Sequence, residues 1–196
     1  MFRVFGLLIL LSLLPVSLTA QKKGWQPGYV VTIQGDTFRG TIKYGNNILS
    51  DARYDACHEV KFKTSRGIRI NFTPQFTKCY KRGDDFYLSY KTMQGKEPWC
   101  VFIKKIVSGP VDLYYYYGER KSFMYFLKKP LTNFLVFESD DTALTFNRIP
   151  IKASLMAFFN DCPAVTKKID DGTYHIYNLR LRDIPGMVEE YNKCKF

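Results

Sequence analysis

Between Gly28 and Asn147 the chain alternates repeatedly between short apolar–polar runs and turn signals. This period of two constrains the fold most, because successive side chains of a strand point to opposite faces. In "GYVVTIQGDTFRGTIKY", residues 28–44, two β-rich runs flank Gly35-Asp36. Glycine accepts the positive φ of a tight hairpin, so the spacing predicts a two-residue turn. Val31 and Ile33 then share a face, and Phe38, Gly40 and Ile42 alternate along the return strand.

The design recurs. In "EVKFKTSRGIRINF" Val60 and Phe62 share one face, Ser65-Arg66-Gly67 makes the turn, and Ile68, Ile70 and Phe72 return. A third hairpin pairs Phe76–Lys81 with Phe86–Tyr90 around "RGDD". The runs "WCVFIKKIV", "VDLYYYY", "SFMYFLKK", "NFLVFE" and "ALTFN" follow. After Pro150 the period becomes helical. Ile151, Leu155, Met156 and Phe159 fall on one face, Pro163 suits the first turn of a second helix, and Asp183 is a plausible N-cap for a third. The fold class is therefore α+β: an antiparallel β-rich sheet, sandwich or open barrel, followed by two or three short C-terminal helices. Residues 21–149 form the β-rich region and 150–196 the small helical region, together one domain.

The first 20 residues read differently. Arg3 precedes an apolar run from Val4 to Leu14, Pro15 breaks it, and Ala20 closes it before Gln21. This is the layout of a secretory signal peptide, and the run is short for a membrane span. Export to the periplasm, the outer-membrane periphery or the medium is expected, with no transmembrane span in the mature chain. There are 29 Lys and Arg against 18 Asp and Glu, a net charge of +11. For an exported chain such a balance points to an envelope protein or an anionic glycan, and away from nucleic acid.

Five cysteines lie beyond the leader: Cys57, Cys79, Cys100, Cys162 and Cys194. No C-x-x-C pair occurs, and His58 and His175 are the only histidines, so neither a metal nor another cofactor is expected. Cys162 and Cys194 each flank a predicted helix of the C-terminal region. The sequence accommodates a disulfide between them or two buried thiols, with Cys57–Cys79 a second pairing. His58 directly follows Cys57, but neighbours on a strand face opposite ways, and no G-x-S-x-G elbow is present. The acid pairs Asp84-Asp85, Asp140-Asp141 and Asp170-Asp171 sit in predicted turns, which suits solvated turns better than paired catalytic carboxylates. No catalytic residue is assigned.

Four consecutive tyrosines, Tyr114–Tyr117, remain. Val111, Leu113, Tyr115 and Tyr117 share the core face by strand parity. Tyr114 and Tyr116 take the other, either beneath the C-terminal helices or as the first residues of a ligand surface.

Taken in order, several stretches resemble a family of exported, largely uncharacterised envelope proteins common in Bacteroidota. They are the opening Gly28-Tyr29 with Gly35-Asp36-Thr37, then "VKFK", "INFTPQF" and "VSGPVDLYYYY", and the closing Asp161-Cys162-Pro163 and Tyr191-Asn192-Lys193-Cys194. The resemblance implies an envelope location and a β-then-α layout, with no catalytic residue to transfer. Three functions are consistent with the sequence. The first is a non-enzymatic interaction or accessory module. The second is a domain binding a glycan or small ligand on exposed aromatics, and the third a hydrolase with an unrecognised site.

Overall fold

The computed structural model describes residues 24–44, 52–94, 97–118, 122–139, 148–176 and 183–194. The predicted leader and the predicted strand "ALTFN" lie outside them. One antiparallel sheet carries ten strands: β1 (Gln26–Thr32), β2 (Thr37–Lys43), β3 (Val60–Lys63), β4 (Arg69–Phe72), β5 (Thr77–Arg82), β6 (Asp85–Gln94), β7 (Glu97–Val107), β8 (Asp112–Tyr117), β9 (Phe123–Lys128) and β10 (Leu135–Ser139). Their spatial order is β10-β9-β8-β7-β6-β5-β1-β2-β3-β4, with open edges at β10 and β4. Among the described residues the helices are α1 (Ala52–His58), α2 (Arg148–Phe158), α3 (Pro163–Asp170) and α4 (Ile184–Tyr191).

The first hairpin corrects the expected turn. Thr32 and Asp36 are its last bonded residues, and the Gly35 N–H donates to the Thr32 carbonyl at 3.0 Å. The loop is thus Ile33–Gly35, three residues with Gly35 at φ +97°. With three residues in the loop instead of two, the side chains of β1 change face relative to β2, whose Ile42 stays inward. Val30 is therefore the buried residue and Ile33 is 49% exposed, the reverse of the expectation. The β3–β4 turn is built alike: Gly67, at φ +85°, donates to the Thr64 carbonyl, as its sequence predicts. Ile68 belongs to that turn and is exposed.

A short connection forces the sheet to curl. β4 ends at Phe72 and β5 begins at Thr77, although β3, β2 and β1 lie between them. A flat sheet would hold β4 and β5 roughly 19 Å apart. Five residue steps reach only about 17 Å. The β1–β5 end must therefore roll up like an open barrel. The inner face carries Val30, Ile42, Val60, Phe62, Tyr80, Tyr87 and Phe102, all buried. The Phe38 and Phe72 rings meet 5.7 Å apart, and the Ser89 hydroxyl donates to the Pro74 carbonyl at 2.6 Å. Gly28 and Gly40, directly opposed in the β1–β2 ladder, permit the tight roll. A Cβ on Gly28 would come within 2.1 Å of the Lys81 carbonyl oxygen, and one on Gly40 within 2.4 Å of that of Lys63.

Where the sheet continues through β8–β10, the inner face is covered by the C-terminal helices. Val111, Leu113, Tyr125, Leu127 and Phe137 pack against Leu155, Phe159, Val165, Ile169, Ile184, Met187, Val188 and Tyr191. The helices therefore sit on the Leu113 side, not on the Tyr114 and Tyr116 side where they were expected. Of the stripe read for the first C-terminal helix, Leu155 and Phe159 are buried and Ile151 and Met156 pack against them. Asp183, however, occupies the N-cap position of α4 without capping it. Its carboxylate accepts from the His175 backbone N–H and approaches His175 Nδ1 at 3.2 Å. Among the described residues no helix is long and apolar enough to cross a membrane.

α1 interrupts a stretch read as continuous β-structure. Cys57 and His58 are helical, so their divergence comes from the helix screw and not from strand parity. α1 lies against β7 and β8, giving Ala56 to the inner core and Cys57 to a cluster on the outer face. The buried Tyr80 hydroxyl donates to the Ala56 carbonyl at 2.7 Å.

Candidate interaction surface

Strand register defines the outer face of the second half. Leu88 pairs with Ile103 and Tyr90 with Val101, while Lys105 pairs with Tyr114. Tyr114 then pairs with Phe126, and Tyr116 with Met124. Tyr114 and Tyr116 belong to this face but are only 4% and 7% exposed. They form its floor, together with Val101, Ile103 and Phe126. Phe86, Leu88, Tyr90, Trp99, Met124, Phe134 and Val136 are half-buried around and above them. Apart from Cys57, every member comes from the strands or from the loop carrying Phe134.

The rings interlock edge to face, the geometry their quadrupoles prefer. Tyr90 meets Trp99 at 5.9 Å and 74°, and Phe134 at 5.5 Å and 86°. Trp99 meets Tyr116 at 5.3 Å and 86°. Phe134 closes over Tyr114 at 5.8 Å. Two cations border the layer. Lys128 Nζ lies 4.6 Å from the Phe134 ring, and Lys105 Nζ 5.2 Å from the Tyr114 ring. Lys105 also pairs with Asp112 at 2.6 Å, and the Tyr114 hydroxyl donates to the same carboxylate. Burial first, and the Asp112 charge second, push the Tyr114 hydroxyl well above its ordinary range.

At the far end of β8 the Tyr116 hydroxyl lies 3.4 Å from His58 Nε2. His58 Nδ1 is 2.8 Å from the Tyr54 carbonyl, which only accepts, so Nδ1 donates there and Nε2 is the nitrogen that faces Tyr116. The Arg53 guanidinium covers the Tyr117 ring at 4.1 Å. Burial pushes the Cys57 thiol up to about 11, with a Tyr117 backbone hydrogen bond pulling the other way. A thiol so raised is protonated at neutral pH, the opposite of an activated nucleophile.

Sequence reasoning missed a second polar cluster, inside the curled end. The Tyr44 hydroxyl lies 3.1 Å from both Asp85 Oδ2 and the Tyr87 hydroxyl. Asp85 pairs with Lys104, and the buried Arg82 stacks on Tyr44 while donating to the carbonyls of Gly24 and Ile42. Three of these residues lie at or beside the "RGDD" turn. The visible signal was a strand arginine in the position that packs inward. Asp84 remains in that turn, as expected, whereas Asp85 is drawn into the ion pair.

Cys162 and Cys194 are joined by a disulfide, with Cα atoms 6.3 Å apart. Cys57, Cys79 and Cys100 are free, which corrects the alternative Cys57–Cys79 pairing. Beside the disulfide, Asn192 clamps α4 to the start of β8. Its amide accepts from the Val111 N–H at 2.8 Å and donates to the Val111 carbonyl at 2.9 Å. Among the described residues no group of three or more His, Cys, Asp and Glu is placed to hold a metal ion. No protein-family model, curated protein or solved structure matches the chain.

Proposed function

We propose that the chain is an exported envelope protein acting without catalysis, as an interaction or accessory module. Its partner covers the outer aromatic layer of β6–β9. The leader-like N-terminus and the resemblance of its opening and closing motifs to exported Bacteroidota proteins support the location. The Cys162–Cys194 bond is compatible with an oxidising compartment. The interaction role rests on one observation: the C-terminal helices cover the inner face, leaving Tyr90, Trp99, Met124 and Phe134 half-buried on the outer one. Aromatic and Met side chains with a cationic rim are the composition of protein-interface centres.

A second reading is a glycan or small-ligand site. The two half-buried rings of Tyr90 and Trp99, 5.9 Å apart, favour it. Their 74° angle disfavours it, because a stacked sugar needs ring faces turned outward together. A photo-crosslinking residue at Thr92, the exposed cross-strand partner of Trp99, separates the readings in living cells. We expect one protein adduct, absent from the same probe at the exposed Lys167 of α3. Trp99→Ala or Tyr90→Ala should reduce it at least tenfold, since truncating an interface centre costs about 2 kcal/mol or more. Identical adducts at both positions would overturn the assignment. Binding on a glycan array with no adduct would select the second reading.

A further inference from the structure

Among the described residues, seven large apolar side chains are exposed, and five of them lie at one end of the sheet. The register places them there. Ile33 is in the β1–β2 turn, and its N–H donates to the Phe76 carbonyl at 3.1 Å. Phe38 opens β2 beside that turn. Thr41 faces Lys63, so the β3–β4 turn with Ile68 runs alongside Phe38. Val31 and Leu88 both face Cys79, so Met93, five residues beyond Leu88, extends past the same end. Ile33, Ile68, Phe76 and Met93 are 49%, 59%, 68% and 64% exposed. Single exposed apolar residues are ordinary, but a group on adjacent tips is not.

The outer wall rising from these tips is cationic. Arg39, Lys43, Lys61, Lys63, Arg69 and Lys81 share the outward parity across β2–β5. Arg39 and Arg69 are exposed, the other four partly buried. None of the six is within ion-pair distance of a carboxylate among the described residues. Asp36, just after the β1–β2 turn, is an acid at this end, and Glu97 opens β7 opposite Gln94, beyond Met93. Elsewhere several cations do meet a carboxylate: Lys104 with Asp85, Lys105 with Asp112, Lys168 with Glu190. The outer wall of the curled half is thus an array of uncompensated positive charge.

We infer that this end of the curled half docks on an anionic lipid bilayer, apolar tips first. Apolar groups enter the boundary between headgroups and acyl chains, while cations on the flank meet anionic headgroups. A soluble polyanion would neutralise the wall but leave Ile33, Ile68, Phe76 and Met93 in water. The bilayer satisfies both halves of the pattern. The surface adjoins the aromatic layer at β6–β7, but the inference does not rest on the reading above.

The test uses the full chain and sedimentation with vesicles of phosphatidylcholine, alone or with one third phosphatidylglycerol. Three proteins are compared: wild type, a tip variant (Ile68→Ser with Phe76→Ser) and a wall variant (Arg39→Glu with Arg69→Glu). The substituted positions are exposed, so the fold should persist, and circular dichroism checks it. Wild type should bind anionic vesicles best and weaken as salt rises. Each wall cation contributes about fivefold, so removing two should cost the wall variant tenfold or more. The tip variant should lose a similar factor at every salt concentration. If both variants bind like wild type, the leader or another surface carries the binding and the inference fails. It also fails if the tip variant keeps full affinity for heparin while no protein gains from phosphatidylglycerol. That result would identify a soluble polyanion as the partner.

Discussion

Cys57 shows how much one burial decides. Its thiol is enclosed by α1, β7 and β8, and burial raises its pKa from 9.0 to about 11. Tyr44, enclosed beside Asp85 and Tyr87, is pushed from 10.0 to about 12, chiefly by burial. Tyr80 and Tyr87 move the same way for the same reason. In the unfolded chain these groups lose their protons near their ordinary values, while the folded chain keeps them. Stability from these groups is therefore whole below pH 9 and drains away as pH climbs through about 11 and 12. Each tenfold difference in proton affinity is worth ~1.4 kcal/mol, so Cys57 alone accounts for about 2–3 kcal/mol. Urea unfolding at pH 8 and pH 11 should show wild type losing that much more than Cys57→Ala. Equal losses would mean that the thiol is not shielded. Nothing in the sequence announced this burial, because the run around Cys57 reads equally well as a strand, where its neighbours would differ.

At the scale of elements, α3 and α4 are short and depend on what ties them down. Eight-residue helices are marginal alone. Here the Cys162–Cys194 bond links the N-cap of α3 to the residues just after α4, across a sequence separation of 32. Polar ties add to it. Asp161 accepts from Lys129 at 2.9 Å and from the Tyr191 hydroxyl at 2.7 Å. Burial alone would raise the Asp161 pKa, but these donors outweigh it and hold the carboxyl below its ordinary range. Replacing both cysteines by serine should lower stability by about 3–4 kcal/mol, the loop-closure value for this span. Calorimetry with and without reductant checks it: reductant should lower the wild-type midpoint and leave the variant's unchanged. The apolar stripe of α2 and most hairpins were legible because their periodicities extend over whole elements. The β1–β2 face was not, since parity depends on whether the turn holds two residues or three. α1 was not legible either: seven residues give two turns and no sustained stripe. Its formation depends on tertiary partners such as the Tyr80 hydroxyl. The candidate surface was half legible. Strand parity paired Tyr114 with Tyr116, but which face the C-terminal helices cover is set by chain path, which no local pattern encodes.

For the whole molecule, the question is whether the curled end and the helix-covered end unfold together. Two features couple them. β5, β6 and β7 run between the two ends as one ladder, and α1 contributes to the cores of both faces. The chain supplies a reporter for each end, because its two tryptophans are Trp25, beside Arg69 at 6.0 Å, and Trp99, in the aromatic layer. Trp25→Phe and Trp99→Phe each leave one reporter in place. Denaturant titrations of the two variants, each corrected to the midpoint found by circular dichroism, should show coincident transitions, as all-or-none unfolding requires. Tyr80→Phe then tests the coupling directly. It strands the buried Ala56 carbonyl, at a cost of about 1–3 kcal/mol. If the ladder and α1 unite the molecule, both reporters should register the same loss, although Trp99 lies far along the sheet from β1. A loss confined to Trp25, or a Trp25 transition that precedes the Trp99 one, would instead make the curled end a separately unfolding unit. The tips and cationic wall would then belong to a part that can loosen while the aromatic layer stays folded.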